Sequence, residues 1–231
     1  MCSMQCYYCV KIIYMKQVKD SNTAFYENMP LDTFQNFANQ IGLANGEDLD
    51  VVFDSINNSP TLMEFGSGYG RIIKALSHKN FKGNVIAVER VSDLVALLKS
   101  NYSSQVKVLH EDLCDLEWEE NSIDTILWMW SGILELKPED QQLVIKKAHS
   151  WLKEGGRLII ECPKNNSISK VGMLSNDKKV VVKEDWGVLD ATLVDAEDIA
   201  LYSSRAGFSS HSLQTYETTT HLIRAIYTLI K

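Results

Sequence analysis

The chain has 231 residues, of which 45% are hydrophobic and 23% charged, a composition typical of a globular domain that buries one substantial core without disulfide or metal staples. Its net charge of −7 and pI of about 5.3 disfavour nucleic acid as the main substrate, and no Lys/Arg-rich block offsets this acidity. No apolar run approaches the roughly 20 residues of a bilayer span, and no secretion signal is recognisable. The five cysteines are an odd number, and Cys114 and Cys162 fall in or beside apolar strands, which suits a reducing, cytoplasmic compartment.

The part of the chain before residue 60 has a helical pattern. Asp32 is expected to cap a helix whose apolar positions are Phe34, Phe37, Ile41 and Leu43. A turn follows at Asn45-Gly46. A second amphipathic helix is predicted next, with one apolar face formed by Leu49, Val52, Phe53 and Ile56.

Apolar strands and helices alternate after residue 60. The predicted strands are Thr61–Phe65, Asn84–Val88, Val106–Leu109, Ile123–Met129 and Arg157–Ile160. The intervening helices are Arg71–Ser77, one capped by Ser92 that buries Leu94, Leu97 and Leu98 and runs to Lys99, and one that begins at Pro138 and is ended by Gly155-Gly156. This alternation predicts a parallel sheet with helices on both faces.

The end of the chain has a different pattern. Residues 165–190 are polar, and 178–184 have the pattern of a strand or hairpin arm. Asp195 and Asp198 form a predicted capping box for a helix that ends at Gly207. Two strands, 208–218 and 222–230, are joined by a link so short that they must pair antiparallel.

The strongest local signal is the loop Glu64-Phe65-Gly66-Ser67-Gly68-Tyr69-Gly70, between the first strand and the following helix. Glycines there permit a sharp turn and a close approach to a ligand. A dinucleotide site requires G-x-G-x-x-G, whereas here Arg71 occupies the position of the last glycine. This departure disfavours an NAD(P)-dependent oxidoreductase.

Three further signals lie at strand ends on the same edge of the predicted sheet. Glu89 ends the second strand, and a carboxylate there can accept hydrogen bonds from two ribose hydroxyls. Asp112 follows the third strand, and Trp128-Met129-Trp130-Ser131 ends the fourth. Ligands of doubly wound sheets bind at this edge.

With these motifs, with Asp124 at the start of the fourth strand and with Leu152-Lys153-Glu154-Gly155-Gly156-Arg157 before the fifth, the chain resembles a class I S-adenosylmethionine-dependent methyltransferase over residues 60–231. The resemblance implies an α/β, three-layer Rossmann-like sandwich with a mostly parallel seven-stranded sheet of order 3-2-1-4-5-7-6, whose last strand is antiparallel. It also implies one domain, with an N-terminal extension over 1–45, a cofactor-binding half over 46–164 and a substrate-side half over 165–231.

The resemblance assigns S-adenosylmethionine as the cofactor. Glycine-loop residues would approach its methionine end, Glu64 would hold the ammonium, Glu89 the ribose, and Asp112 the adenine amino group. Arg90 and Leu113 would flank the adenine, and Met129 and Trp130 would form the wall near the sulfonium. The full implied set is Glu64, Phe65, Gly66, Ser67, Gly68, Gly70, Glu89, Arg90, Asp112, Leu113, Met129 and Trp130.

Methyl transfer from a sulfonium needs alignment more than a dedicated base, and no catalytic residue or metal constellation is identified. The expected acceptor is an oxygen, nitrogen or carbon nucleophile of a small molecule. Trp130-Ser131-Gly132 stands where nucleic-acid amino-methylating enzymes have Asn/Asp-Pro-Pro-Tyr/Phe, and only Glu135 matches the double-glutamate loop of protein arginine methyltransferases. The sequence also leaves open a protein acceptor and a non-catalytic cofactor-binding subunit, and it does not determine the oligomeric state.

Two expectations concern the N-terminal region. Phe25 and Tyr26 would belong to a lid over the substrate, opposite a wall formed by residues 165–190. Cys2, Cys6 and Cys9 have the C-x3-C-x2-C spacing of the iron–sulfur loop of radical S-adenosylmethionine enzymes. That loop normally precedes most of a barrel, whereas a different fold follows here, so a chance match is the preferred interpretation, and Met15 is a second possible start.

Overall fold

The computed structural model describes residues 21–164, 173–174 and 178–231. The hypotheses about Cys2, Cys6, Cys9 and Met15 lie outside these residues. In chain order the elements are α1 (21–28), α2 (Leu31–Ile41), α3 (Glu47–Ile56), β1 (Thr61–Phe65), α4 (Arg71–His78), β2 (Asn84–Glu89), α5 (Ser92–Tyr102), β3 (Val106–His110), β4 (Ile123–Trp128), a 3-10 helix (Gly132–Glu135), α6 (Pro138–Trp151), β5 (Leu152–Pro163), β6 (Met173–Leu174), β7 (Lys179–Glu184), β8 (Gly187–Thr192), α7 (Ala196–Ala206), β9 (Ser210–Glu217) and β10 (Ile223–Ile230).

Seven strands form the central sheet in the order β3-β2-β1-β4-β5-β10-β9. The first five are parallel to one another, and β10 is antiparallel to both β5 and β9. Numbered within this sheet, the order is 3-2-1-4-5-7-6, so the predicted Rossmann-like fold class is confirmed. Strands β6, β7 and β8 form a second, antiparallel sheet, which includes the predicted arm at 178–184.

The apolar core lies on both faces of the central sheet, as the continuous apolar strands predict. On one face Phe65 contacts Trp128 and Trp151 edge-on, with ring centroids 5.6 and 6.1 Å apart. On the other face Leu62 and Leu127 pack with residues of α3 and α4. The sheet is therefore a rigid layer whose carboxyl edge can hold a site.

Two helix starts differ from the prediction. Asp32 lies in the first turn of α2, after an N-cap at Pro30, and Ser92 is the first residue of α5, after an N-cap at Val91. Asp32 Oδ1 accepts a hydrogen bond from the Thr33 N–H instead of capping the helix. In α5, Leu94 and Leu98 are buried as predicted, whereas Leu97 is only partly buried and Val95 is buried instead.

The glycine pair Gly155-Gly156 does not end α6. The helix ends at Trp151, and β5 starts at Leu152 and passes through both glycines. The pairing with β4 shifts register between Ile123 and Thr125, because Leu152 is the partner of the first and Arg157 of the second. The register shift accommodates the residues of β5 between Leu152 and Arg157 that have no partner on β4. Within this stretch Gly155 adopts a left-handed φ of 73°.

Asp124 fastens the edge of the sheet where β1 and β4 begin. Its Oδ2 accepts hydrogen bonds from the Thr61 N–H at 3.0 Å and from Lys153 Nζ at 2.9 Å. Asp124 and Lys153 thus have a structural role at the amino ends of the strands, opposite the edge where the glycine loop lies.

The capping box of α7 forms as predicted, and it also holds the second sheet. Asp195 Oδ1 accepts from the Glu197 and Asp198 N–H groups, while Asp198 Oδ2 accepts from the Asp195 N–H. Lys178 Nζ, just before β7, donates to Asp195 and Asp198 at 2.6 and 2.7 Å. The helix start and the hairpin are therefore joined by one polar cluster.

Substitutions of Asp195 separate the cap from the ion pair. Asp195→Asn keeps a good N-cap and loses only the exposed ion pair, so we expect a loss of at most about 0.5 kcal/mol in unfolding free energy. Asp195→Ala loses both, and the expected loss is about 1–2 kcal/mol. Urea denaturation of the two variants measures the difference. Equal losses would mean that the cap contributes nothing.

Candidate functional site

A cavity of about 510 Å³ lies at the carboxyl edge of the central sheet. Its walls come from the ends of β1, β2, β3 and β4, from α1 and α2, from the β7–β8 hairpin and from the start of β10. Ten of the twelve residues in the implied set line it: Glu64, Gly66, Ser67, Gly68, Glu89, Arg90, Asp112, Leu113, Met129 and Trp130. The fold thus brings residues up to 66 positions apart in the sequence, from Glu64 to Trp130, around a single cavity.

Phe65 and Gly70 do not line the cavity. Phe65 is only 1% exposed and packs in the core against Trp128 and Trp151. Its side chain alternates with that of Glu64 along β1 and therefore points away from the site. Gly70 is the N-cap of α4, and a Cβ there would lie 2.7 Å from Tyr102 Cε2, so this glycine serves helix packing.

The glycine loop is held by the end of β2. Gly66 and Ser67 donate their N–H groups to the Val88 carbonyl at 2.9 and 3.0 Å, and Gly68 donates to Glu89 Oε2 at 2.8 Å. Gly66 has a φ of 67°, and the space that a Cβ would enter contains no atom within 4 Å. The backbone of the loop is therefore open to a ligand.

Glu89 is fixed by main-chain donors on two sides. Besides the Gly68 contact, its Oε1 accepts hydrogen bonds from the N–H groups of Arg90 and Val91 at 2.8 and 2.9 Å. The carboxylate is 6% exposed and lines the cavity. Because each carboxylate oxygen has two acceptor positions, capacity remains on Oε2 for a hydroxyl donor.

Glu64 is the most unusual acid of the site. It is 3% exposed, and its Oε2 has no hydrogen-bond partner among the residues that the structure describes. Burial raises the pKa of Glu64 to about 8, although Ser67 and Arg71 nearby oppose the increase. A buried carboxyl with one unpartnered oxygen, beside an open glycine loop, is suited to a cationic ligand group.

A polar chain links α1 to the end of β3. The Tyr26 hydroxyl donates to Glu135 Oε1 at 2.7 Å, Arg90 Nη2 donates to Glu135 Oε2 at 2.8 Å, and Arg90 Nη1 lies 3.7 Å from Asp112 Oδ2. Burial raises the pKa of Glu135, while Arg90 and Tyr26 lower it. Asp112 Oδ1 also accepts from the Cys114 N–H, so its orientation is fixed.

Trp130 and Ser131 both adopt left-handed backbone conformations, with φ of 47° and 64°. Such conformations cost non-glycine residues on the order of 1–3 kcal/mol each and persist where surrounding contacts impose them. The centroid of the Trp130 ring lies 5.2 Å from that of Phe34 and 6.4 Å from that of Tyr69. The Arg71 guanidinium carbon lies 5.4 Å from the Trp130 centroid. The turn directs Trp130 into the cavity.

Two buried ion pairs contribute arginines to the cavity wall. Arg71 binds Asp48 through two hydrogen bonds of 2.6 and 2.7 Å and also donates to the Leu43 carbonyl. Arg224, on β10, binds Glu161 on β5 through Nε and Nη2. All four side chains are at most 5% exposed, so each charge depends on its partner.

The β7–β8 hairpin forms an apolar wall. Val180 pairs with Ala191 and Val182 with Leu189, so these four side chains share the face that lines the cavity. At the hairpin tip, Trp186 contacts Phe25 and Phe37, with ring centroids 5.9 and 6.1 Å apart. Such contacts join the hairpin to α1 and α2.

Asn22, which is fully buried, ties α1 to the same wall. Its Nδ2 donates to the Asp190 carbonyl at 2.9 Å and to the Glu135 carbonyl at 3.3 Å, and its Oδ1 accepts from the Asp190 N–H. Phe25 and Tyr26 line the cavity, as expected for the N-terminal helix. Helix α1 thus covers one side of the cavity.

Sequence reasoning misses several lining residues. The sequence predicts Phe34 only as an apolar position of a helix, and singles out Arg71 only because it stands where a dinucleotide motif has a glycine. The signal that could have been used is an arginine inside an apolar strand, as at Arg224 in Ile223-Arg224-Ala225-Ile226, because a charge there must have a buried partner. Glu161, in an equally apolar segment, is the matching signal.

Residues 62–156 match a family model described as "Methyltransferase domain". A tRNA (guanine-N(7)-)-methyltransferase of Mycoplasma mycoides subsp. mycoides SC is 34% identical over 92 residues, which span 38% of this chain and 40% of that protein.

Solved structures share the fold. An S-adenosylmethionine-dependent methyltransferase from Clostridium acetobutylicum matches 97% of this chain and 98% of its own with a TM-score of 0.59 and 16% identity. The 1,6-didemethyltoxoflavin-N1-methyltransferase of Burkholderia thailandensis, solved with its substrate and S-adenosylhomocysteine, matches 79% of this chain and 75% of its own with a TM-score of 0.57 and 16% identity.

Residues 62–156 therefore match a methyltransferase domain, and the chain has the Rossmann-like fold of solved S-adenosylmethionine-dependent methyltransferases. S-adenosylmethionine is the cofactor named for methyltransferases that share this fold. Within the described ranges, no helix has both the length and the apolarity to cross a membrane. No group of three or more His, Cys, Asp or Glu side chains suited to a metal ion occurs in the same ranges.

The raised pKa of Glu64 predicts a pH-dependent stability difference. Ionisation of Glu64 is harder in the folded chain than in the unfolded one, so its contribution to stability is fully present below pH 4.5 and is lost as the pH rises to about 8. Relative to Glu64→Gln, which cannot ionise, the wild-type protein without ligand should lose stability over this range. Urea denaturation of both proteins at pH 5, 6.5 and 8 measures the difference. A constant difference would show that Glu64 does not titrate as its burial requires.

Proposed function

We propose that this protein binds S-adenosylmethionine and transfers its methyl group to an oxygen, nitrogen or carbon nucleophile of a small, largely apolar molecule. The convergence of ten implied cofactor residues on one cavity carries the proposal. In this assignment residues 46–164 bind the cofactor, 165–231 contribute the acceptor side, and 1–45 include the lid.

The residues fit the cofactor. The unpartnered Oε2 of Glu64 suits the ammonium, and the open backbone at Gly66 gives the methionine end room. Glu89 would hold the ribose hydroxyls, and Asp112, with Leu113 and Arg90 around it, would hold the adenine. When bound, the cofactor supplies an activated methyl group on a sulfonium.

The chain itself orients the reactants and excludes water. Met129 and Trp130 form the wall between the cofactor loop and the acceptor side, and Trp130 is fixed by its backbone and aromatic contacts. The aromatic and hairpin residues keep the cavity dry, which strengthens every polar contact in it. No proton-accepting residue is assigned, because alignment supplies most of the rate enhancement in a transfer of this kind.

The shape of the site favours a small acceptor over a macromolecule. The apolar face of the hairpin and the aromatic residues of α1 and α2 enclose the cavity. The net charge of −7 opposes a nucleic acid, although the partial likeness to a tRNA methyltransferase makes RNA a necessary comparison. Methylation of a protein side chain and a non-catalytic cofactor-binding role are the competing hypotheses that the experiments must also address.

Calorimetric titration with S-adenosylhomocysteine, with NADH as the control, tests the cofactor. We expect micromolar binding of the first and no heat from the second. Glu89→Gln should weaken S-adenosylhomocysteine binding about tenfold or more, because a charged hydrogen-bond acceptor is lost. Glu154→Gln, an exposed substitution at the opposite edge, is the matched control. Binding of NADH alone, or equal affinity in both variants, would contradict the proposal.

Turnover distinguishes the acceptor classes. Transfer of labelled methyl from S-adenosylmethionine should be detected with a library of aromatic and apolar small molecules and should not be detected with bulk tRNA or with cell protein. Labelled tRNA would overturn the small-molecule assignment. Cofactor binding without transfer to any class would favour the non-catalytic role.

Tyr26 offers a test of the lid. Tyr26→Phe removes the hydrogen bond that fixes Glu135 and, through it, Arg90, so S-adenosylhomocysteine should bind about three- to tenfold more weakly. Tyr202→Phe removes a comparable buried hydroxyl, bonded to Gln141 in the helical layer, and should leave the affinity unchanged. Equal affinity of both variants in the same titration would show that α1 is uncoupled from the cofactor site.

A further inference from the structure

Arg224 is a buried charge in an otherwise apolar strand end. It is 4% exposed, lies between Ile223 and Ala225, and lines the cavity together with Leu222 and Pro163. Burying a guanidinium costs several kcal/mol, and even a paired one is seldom better for stability than apolar residues of the same size. A role in the cavity therefore accounts for this residue better than a role in stability.

The surroundings of Arg224 fix its orientation. Nε and Nη2 donate to the two carboxylate oxygens of Glu161, and Nη2 also donates to Ser131 Oγ at 2.8 Å. Glu161 itself is held by the Tyr216 hydroxyl at 2.9 Å. Since Ser131 belongs to the strained turn after β4, Arg224 is connected directly to the residue that follows Trp130.

One end of the guanidinium has no hydrogen-bond partner among the residues that the structure describes. A guanidinium has five N–H donors, and the two on Arg224 Nη1 form no hydrogen bond with any residue in the described ranges. Glu161 already neutralises the positive charge. The Nη1 end is therefore a pair of hydrogen-bond donors on a guanidinium that lines the cavity and is held in place by Glu161 and Ser131, which suits an oxygen atom with two lone pairs.

We propose that Arg224 is a specificity-determining residue that binds a carbonyl or carboxylate oxygen of a flat, apolar acceptor. This inference rests on the proposed function, because it assigns the acceptor side of the same cavity. Phe34, Tyr69 and Trp130 supply the aromatic surroundings that a flat molecule requires, and Glu161 and Ser131 act as positioning residues.

Three probes of one shape test the oxygen contact. Protein saturated with S-adenosylhomocysteine is titrated with 3-methylindole, indole-3-acetamide and indole-3-acetate, which differ by the absence of oxygen, a neutral carbonyl and a carboxylate. The wild-type protein should bind each of the two oxygen-containing probes about tenfold more tightly than 3-methylindole. A preference for only one of them identifies the charge state of the natural group.

The informative variant is Arg224→Met/Glu161→Gln, because Arg224→Met alone leaves a buried carboxylate unpaired. In the double variant all three probes should bind within twofold of one another, and S-adenosylhomocysteine should bind within twofold of wild type. Arg205→Met, which removes an exposed arginine on α7, should retain the wild-type preference.

The inference would be overturned if the wild-type protein bound none of the probes or showed no preference for the oxygen-containing ones. It would also be overturned if that preference persisted in the double variant. A loss of more than tenfold in S-adenosylhomocysteine affinity in the double variant would assign Arg224 to the cofactor instead. The calorimetric titration of the wild-type protein with S-adenosylhomocysteine, described above, would detect a failure to bind the cofactor. Such a failure would contradict the proposed function itself.

Discussion

The carboxylate of Glu89 is the contact on which the site depends. It accepts hydrogen bonds from the backbone of the glycine loop and from the two residues after β2, so it joins two strand ends that are separate in sequence. A loop rich in glycine would otherwise have many conformations. Together with the Val88 carbonyl, this acid holds the loop in one shape before any ligand arrives, so the ligand meets a preorganised surface.

The fold, and the convergence of the implied cofactor residues on one edge of the sheet, were readable from the sequence because they depend on local patterns. Apolar strands followed by glycines or acids at regular intervals place Glu64, Glu89 and Asp112 on one edge without knowledge of any long-range contact. Helix starts were less readable, since Asp32 and Ser92 are good capping residues that the structure places inside the first turn. Tertiary packing, rather than the propensity of one side chain, selected those starts.

The contacts around the proposed acceptor side were not readable from the sequence for a different reason. Arg224 meets Glu161, and Tyr26 meets Glu135, across 63 and 109 positions of sequence, and no local spacing announces such pairs. The β7–β8 wall depends likewise on a register that pairs Val182 with Leu189. Long-range pairs of this kind follow from topology, which a single sequence gives only in outline.

The hairpin that forms the apolar wall stands apart from the central sheet. Its strands pair with each other and with β6, and side-chain contacts of Asn22, Gln141, Lys178 and the tip residue Trp186 are among its ties to the rest of the chain. Because neither hairpin strand pairs with a strand that supports the glycine loop, Val182 and Leu189 can change size without altering the pairing of the central sheet. Under the proposed function, the choice of acceptor could therefore diverge in evolution while the strands around the glycine loop keep their own packing.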